Sequence, residues 1–211
     1  MFDVEYKGAN AVVFTTKKTR VVFDPNVSVA GGKDVSAKGD IVVLTEERLK
    51  TNTESKLLFD GPGEYEASDI ALTGVAARRH IDTDEQGKQS TMYRMTIGDI
   101  RVAIVGNVAP KLSDDQLEAL GVVDMLVIPV GGGGLTLDAT DAAAMTRQIE
   151  PRAVVPVHFK DDALAYEMPQ DAVDTFVKEL GAGVLEAGPK FKVKNDASIP
   201  EQMTVILLTR S

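Results

Sequence analysis

The sequence predicts an α/β fold in which two β-sheets lie face to face between layers of helices, a four-layered αββα sandwich. Three observations lead to this prediction. The first half of the chain consists of short β-rich runs separated by turn residues. Strands and helices alternate in the second half, and the chain then returns to β structure. No repeat and no long linker divides the 211 residues, so a single domain is predicted over residues 1–211.

Eight strands are predicted before the first helix. They are β-rich or alternating runs bounded by Gly, Asn, Lys and Thr turns. The predicted ranges are 4–6, 11–15, 20–23, 40–44, 56–59, 70–75, 91–97 and 100–105. The last two flank Gly98-Asp99, a two-residue hairpin turn in which glycine supplies a positive φ. Gly61-Pro62-Gly63 is interpreted as a rigid turn.

Three helices are marked at both ends by capping, proline or glycine residues. The pairs of boundary residues are Ser113 and Gly121, Asp138 and Pro151, and Pro169 and Gly181. Between the helices lie strands 125–130 and 153–157, which are nearly all apolar, as expected for strands buried on both faces. Strands at 183–186, 191–193 and 203–208 complete the chain.

The composition excludes several function classes. The net charge of −9 and the pI near 4.8 argue against binding to nucleic acid or an anionic membrane surface. No apolar run reaches the roughly 20 residues of a membrane span, and the N-terminus lacks a signal-peptide pattern. Without cysteine there are no disulfides, thiolate nucleophiles or cysteine-based metal sites. The sequence therefore predicts a soluble cytoplasmic protein.

Five segments together resemble a known family. They are "FDPNVS", "VVLTEERLKTN", "DGPGEYEASDIALTG", "IVGNVAPKLSDDQLEALGVVDMLVIPVGGGG" and "IEPRAVVPVHF". In kind, order and spacing they are similar to the metallo-β-lactamase superfamily, in particular its small bacterial branch of metal-dependent hydrolases that resemble ascorbate-6-phosphate lactonases. The resemblance runs from about Val4 to Phe159. It implies the αββα fold and, in active members, one or two zinc ions.

The resemblance also locates a difference. Active members carry a His-x-His-x-Asp-His motif after the strand that ends here at Leu44. The matching residues in this chain are Glu46, Arg48, Lys50 and Thr51. Two of them are cations, and a unit charge placed about 4 Å from another like charge costs on the order of 4 kcal/mol at an effective dielectric of 20. We therefore predict that the family's zinc site is lost and that no metal is bound there.

The other residues that match the family's metal-binding positions agree with the family only in part. The position of a bridging Asp holds Asn107, while His80 and His158, the only histidines, match family His positions. Asp24 matches a residue that supports the metal ligands from outside. Two histidines are too few for a zinc site, and we expect His158 to be hydrogen-bonded in the core or at its rim and His80 to lie in a solvated loop. The Gly131–Gly134 run is expected to form a positive-φ turn, since it lacks the Lys and Ser/Thr of a phosphate loop.

The interpretation is a metallo-β-lactamase-like protein without catalytic activity, whose binding or structural role uses the former pocket. That vestigial pocket comprises Glu46, Arg48, Lys50, Thr51, His80, Asn107 and His158, with Asp24 behind them. The partner is an unidentified small molecule or protein, and self-association is left open. The alternative is a divergent lactonase or phosphoesterase in which Glu46, Glu47 and Asp82, near the two histidines, bind a hard divalent cation.

Overall fold

The computed structural model describes residues 1–83 and 85–211 and contains two β-sheets and three α-helices. The strands are β1 (Phe2–Gly8), β2 (Ala11–Thr15), β3 (Arg20–Phe23), β4 (Ile41–Val43), β5 (Leu57–Phe59), β6 (Gly63–Ala67), β7 (Ile70–Ala77), β8 (Ser90–Ile97), β9 (Ile100–Ile104), β10 (Met125–Pro129), β11 (Ala153–Val157), β12 (Gly183–Gly188), β13 (Phe191–Val193) and β14 (Thr204–Leu208). The α-helices are α1 (Asp114–Leu120), α2 (Ala139–Ile149) and α3 (Val173–Leu180). None of the helices in the described ranges is long and apolar enough to cross a membrane.

The six-stranded sheet has the order β13-β1-β2-β3-β4-β5, and the eight-stranded sheet has the order β12-β14-β11-β10-β9-β8-β7-β6. Their facing sides form one apolar core. Phe23 of the smaller sheet meets Phe14 of the same sheet and Tyr93 of the larger one, with ring centroids 5.8 and 6.1 Å apart. Each such aromatic pair adds roughly 0.5–1.5 kcal/mol to what burial of its area contributes. The predicted arrangement of two face-to-face sheets is confirmed.

All three α-helices pack on the outer face of the eight-stranded sheet, where they form a second apolar cluster. Phe176 and Leu180 of α3 and Met145 of α2 are buried in it. Within the described residues, the chain between β1 and β5 contains only short 3-10 helices, at Val27–Ala30 and Glu47–Leu49. The helical layer is therefore much thicker beside the larger sheet than beside the smaller one.

Each sheet contains a run of parallel strands that extends to one of its edges. β3, β4 and β5 are parallel neighbours, and so are β9, β10 and β11. The segments that follow their carboxyl ends are the place where open α/β sheets bind ligands. Four residues of the predicted pocket or its support occupy such positions, namely Asp24 after β3, Glu46 after β4, Asn107 after β9 and His158 after β11.

The predicted start of the third helix is wrong. α3 begins at Val173 and not at Pro169. Asp171 donates its backbone N–H to Gly131 and accepts one from Lys160, so this part of the chain is tied to two loops and cannot enter a helix. The Pro169–Asp171 segment thereby packs against the Gly131–Gly134 turn, where Gly132, Gly133 and Gly134 all have positive φ as predicted.

The segment after Gly61 was interpreted as a turn alone, but it contains strand β6. β6 pairs with β7 in antiparallel register from Gly63 opposite Gly74 to Ala67 opposite Ile70. Tyr65 stacks on Phe59 with centroids 4.5 Å apart, which fastens this edge strand to the neighbouring sheet. The strand was not predicted, because glycine and proline at its start are unfavourable in strands. Pairing with β7 stabilises it nevertheless.

Gly106 allows the two sheets to approach each other next to the predicted pocket. It has a φ of +63°, and a Cβ at this position would lie 2.7 Å from Cβ and Oγ1 of Thr45. Thr45 follows β4, while Gly106 follows β9. The close contact therefore joins the strand ends that carry Glu46 and Asn107.

A pair of glycine variants tests this contact. Gly98 has nearly the same φ, +60°, but no atom lies within 4 Å of the place of its Cβ. Gly98→Ala should cost only the left-handed backbone penalty, roughly 1–2 kcal/mol. Gly106→Ala should cost about 2 kcal/mol more, because the added methyl also meets Thr45. Urea unfolding of both variants measures the difference, and equal losses of unfolding free energy would show that the contact does not constrain the fold.

Candidate functional site

A cavity of about 300 Å³ opens where the parallel strands end. We call it the central cavity. Its polar wall comes from the β1–β2 turn and from the segments after β3, β4, β9 and β11, and its apolar wall comes from the segments after β3, β4 and β10. The lining residues are Ala9, Asn10, Asp24, Asn26, Val29, Ala30, Arg48, Leu49, Asn107, Leu135, His158, Tyr166 and Glu167.

The backbone is strained at three lining residues. Ala9, Asp24 and His158 have φ of +47°, +49° and +49°, a region that non-glycine residues seldom occupy. His158 donates its backbone N–H to the carbonyl of Ala9 at 2.8 Å, which fixes both turns against each other. Such strain costs on the order of 1–3 kcal/mol per residue and is typical of functional sites.

His158 is held by Asn10 and covered by Tyr166. The Nδ1 of His158 lies 2.7 Å from Oδ1 of Asn10, and with the amide in this orientation Nδ1 donates the hydrogen bond. Tyr166 stacks on the imidazole with ring centroids 5.1 Å apart. Burial, and secondly the positive charge of Arg48, lower the pKa of His158 to about 4. The imidazole is therefore neutral at pH 7, hydrogen-bonded at the rim of the core as its sequence position predicted.

Glu46 forms the electrostatic centre of the site. Its side chain is 1% exposed. Arg48 donates to it through Nε at 2.8 Å and through Nη2 at 3.4 Å, and Asn107 donates through Nδ2 at 2.7 Å. Arg79 approaches the same carboxylate, with Nη1 3.6 Å from Oε2. A buried carboxylate is stable only when its charge is balanced, and here two guanidinium groups and one amide provide the balance.

Arg79 is itself balanced by Asp82. Its Nε and Nη2 donate to Oδ1 of Asp82 at 2.9 and 2.6 Å. The hydrogen bond to Asp82, together with the charges of Asp82 and Glu46, raises the pKa of Arg79 above its ordinary value. Glu46, Arg48, Arg79 and Asp82 thus form a group of two anions and two cations, which we call the Glu46 cluster.

Asp24 lies near the Glu46 cluster, in the lining of the central cavity, and is buried. Its carboxyl group accepts hydrogen bonds from the backbone N–H of Thr45 at 2.8 Å and from the Thr45 hydroxyl at 2.7 Å. Burial raises the pKa of Asp24 to about 7, with the Thr45 hydrogen bonds opposing the rise and the negative charge of Glu46 adding to it. Asp24 therefore joins the ends of β3 and β4 and is ionised only in part at neutral pH.

These residues do not fit a zinc ion. Both oxygens of Glu46 are occupied by N–H donors, and Arg48 holds a positive charge at the same carboxylate. Asn107 turns its amide nitrogen, which is no metal ligand, toward Glu46. Across residues 1–83 and 85–211, no group of three or more His, Cys, Asp or Glu side chains is arranged to hold a metal.

The residues proposed from the sequence separate into two sets. Asp24, Arg48, Asn107 and His158 line the central cavity, and Glu46 lies directly behind its wall. The remaining three lie elsewhere. Lys50 is exposed, Thr51 pairs its hydroxyl with Ser36 at 2.6 Å, and His80 is half-buried with its backbone N–H donated to the carbonyl of Asn107.

Sequence reasoning missed Asn10, Arg79, Asp82 in its role as an ion-pair partner, and Tyr166. Arg79 stands next to His80, a residue that the resemblance did single out, and the Arg-Arg pair at 78–79 was the available signal. Asn10 and Tyr166 were not recognisable, because they reach His158 from segments 148 and 8 residues away along the chain. The hydrogen-bond partner of a buried histidine is set by tertiary structure alone.

Comparisons with known proteins agree with this fold. The family model described as "Beta-lactamase superfamily domain" matches residues 3–158. A search of the curated proteins found no match.

Solved structures are similar at low identity. A candidate Zn-dependent hydrolase of the metallo-beta-lactamase superfamily from Thermotoga maritima is 18% identical with a TM-score of 0.75, and the match covers 99% of both chains. A candidate metal-dependent hydrolase from Parabacteroides distasonis is 15% identical with a TM-score of 0.64, over 99% of this chain and 93% of that one. The metallo-beta-lactamase fold protein YhfI from Bacillus subtilis is 10% identical with a TM-score of 0.58, over 100% and 98%.

At these identities the solved structures establish the shared fold and not a shared activity. The family model, in contrast, covers well over half of the chain, including Asp24, Glu46, Asn107 and His158. The chain belongs to the beta-lactamase superfamily and has its metallo-β-lactamase fold.

Proposed function

We propose that this chain is a non-catalytic member of its superfamily, a pseudoenzyme of the small bacterial hydrolase-like branch that binds a small molecule in the central cavity. The observation that carries the proposal is the Glu46 cluster. In it, guanidinium groups meet a buried carboxylate at the position where the family's motif would supply metal-binding imidazoles. The cluster is complete without a metal, since its two anions and two cations balance.

Electrostatics supports the proposal over a rebuilt metal site. A divalent cation near Glu46 would meet the positive charge of Arg48, and two like charges about 4 Å apart repel by several kcal/mol in a partly buried site. Lys50 points to solvent and would not interfere, but Arg48 is bonded inward to Glu46. The alternative of a divergent lactonase or phosphoesterase needs Glu46 free for coordination, and Glu46 is occupied.

The pocket itself supports a binding role. Strained residues, buried polar side chains and apolar side chains surround the central cavity. Strain of this kind is unfavourable for folding alone and is retained where a site needs it. A purely structural protein would have no use for a cavity of about 300 Å³ at its strand ends.

Metal content tests the proposal directly. Protein made without a histidine tag and supplied with zinc, manganese and iron should contain far less than one equivalent of each by elemental analysis. Its melting temperature should not respond to chelator or to added zinc, because only a ligand that binds the native state raises stability. Stoichiometric metal that is lost in the His80→Ala, His158→Ala double variant would contradict the proposal and favour the hydrolase.

The titration of Asp24 provides a pH test of the proposal. A divalent cation nearby would stabilise the ionised carboxylate and lower its pKa, so in a site without such a cation the pKa of the buried Asp24 stays raised. The pKa is about 7 in the folded protein, whereas an unfolded Asp titrates near 3.9. Between these values the folded state binds more protons, so the contribution of Asp24 to stability is present at low pH and is lost as the pH rises through 7.

Asp24→Asn, which stays neutral and tolerates a positive φ, should therefore gain stability relative to the natural chain as the pH rises from 5 to 8, by about 2 kcal/mol. Urea unfolding at several pH values measures this difference, with Asp60→Asn at an exposed carboxylate as the control. A difference between Asp24→Asn and the natural chain that is the same at every pH would show that Asp24 is ionised throughout.

A further inference from the structure

Four side chains of the central cavity carry a buried polar atom that has no hydrogen-bond partner among the described residues. One is the hydroxyl of Tyr166, and the other three belong to residues that are more than nine-tenths buried. These three atoms are Nδ2 of Asn10, Oδ1 of Asn107 and Nε2 of His158. The residues are 5%, 1% and 7% exposed. A buried polar group without a partner costs about 1–3 kcal/mol, and native proteins keep few of them. Three such atoms around one cavity indicate a ligand that supplies the missing partners.

The pattern of donors and acceptors does not depend on the tautomer of His158. When Nδ1 donates to Asn10, the pair leaves Nε2 as an acceptor and the Asn10 amide nitrogen as a donor. In the other tautomer, with the Asn10 amide turned over, Nε2 becomes the donor and the amide oxygen becomes the acceptor. Either way the pair offers one donor and one acceptor. Asn107 adds an acceptor, since its nitrogen is committed to Glu46.

The charges around the cavity oppose an ionic ligand. Arg48 and Arg79 are balanced by Glu46 and Asp82, so the wall has no surplus cation for an anion. Asp24 and the exposed Glu167 add only negative charge. A cation would in turn meet the guanidinium of Arg48. Since an ion entering the cavity must give up water, an uncharged ligand is favoured.

The volume and the apolar lining of the cavity indicate the size and kind of the ligand. A cavity of about 300 Å³ is at the lower end for small-molecule sites. The lining also includes Val29, Ala30, Leu49 and Leu135, which offer apolar surface to C–H groups. Hydroxyl groups both donate and accept, so neighbouring hydroxyls on a carbon ring match the polar side chains, and the ring matches the apolar ones.

We propose, resting on the binding role argued above, that the central cavity binds an uncharged, hydroxyl-rich small molecule of about the size of a monosaccharide. Its hydroxyls pair with Asn10, Asn107 and His158. These three atoms are closed off from solvent, and the ring of Tyr166 covers His158. Entry of the ligand therefore moves Tyr166 off the imidazole.

A series of probes of similar size and different charge tests the ligand class. The probes are D-glucose and myo-inositol, which are neutral, D-glucuronate, which is an anion, and D-glucosamine, which is a cation. A neutral probe should raise the melting temperature, and calorimetry should give a dissociation constant at least tenfold lower than for either charged probe. Tyrosine emission should change on binding, because the chain has four Tyr and no Trp.

Three variants separate specific from adventitious binding. Leu135→Trp fills the cavity, and His158→Asn keeps a residue that tolerates the positive φ but removes Nε2. Both should lower affinity for the neutral probe at least tenfold. Val122→Trp, at a residue 65% exposed and outside the cavity, should bind as the natural chain does. Circular dichroism confirms that each variant is folded.

The outcomes distinguish the two proposals. Tighter binding of glucuronate or glucosamine, or no binding of either neutral probe, overturns the ligand class and leaves the metal test of the pseudoenzyme standing. Binding of a neutral probe that is unchanged in Leu135→Trp overturns the assignment to this cavity. Binding that appears only after zinc is added overturns the proposed function itself.

Discussion

The balance of charge at one buried carboxylate determines what this site can do. Glu46 is almost completely removed from water, so its negative charge must be met by positive charge within a few ångströms. In an active metallo-hydrolase the cation at such a position is a metal, which also polarises substrate and activates water. Here the cations are the guanidinium groups of Arg48 and Arg79. A guanidinium supplies charge and hydrogen bonds, but it has no open coordination position for a substrate or a water molecule.

The rest of the site follows from the same constraint. Asn107 must present its nitrogen to Glu46, which leaves its oxygen without a partner in the wall of the cavity. Arg48 also acts on His158, where its charge assists burial in keeping the imidazole neutral. Asp24 is near enough to Glu46 for the two carboxyl groups to repel each other, which contributes to the raised pKa of Asp24. The orientation of Asn107 and the protonation of His158 and Asp24 therefore depend on the charges of Glu46 and Arg48.

Local sequence signals were sufficient to predict much of the fold. The capping boxes and the hairpin at Gly98 depend on residues close in sequence, and the structure contains the capping hydrogen bonds at Ser113 and Asp138 and the Ile97–Ile100 pair. Where a distant segment decided the local conformation, the predictions were wrong. Gly131 and Lys160 hold Asp171 out of α3, and β7 makes a strand of the residues after Gly63.

The candidate site shows the same difference between local sequence signals and contacts between distant segments. The sequence singled out Glu46 and Arg48, because the family resemblance indicated which residues to compare, and the structure places the two in an ion pair. The Arg-Arg pair at 78–79 pointed to a charged segment, but the partners of Arg79 and Asn10 could not be predicted, since they lie 33 and 148 residues away along the chain. The resemblance aligned Lys50 and Thr51 with the family motif as well, yet Lys50 is exposed and the hydroxyl of Thr51 pairs with that of Ser36. A motif locates a loop, and only tertiary structure shows which of its residues face the cavity.

The most direct measurement is the cost of removing the charge of Glu46 in metal-free protein. Glu46→Gln leaves the guanidinium of Arg48, whose side chain is 36% exposed, and that of the half-buried Arg79 without their shared anion. Because water screens these charges in part, the loss of unfolding free energy should be about 1–3 kcal/mol. Glu47→Gln, one residue away and exposed, should stay within about 0.5 kcal/mol of the natural chain. Urea unfolding with chelator present should show this difference. Equal unfolding free energies for the two variants would mean that Glu46 is not the charge on which the site is built.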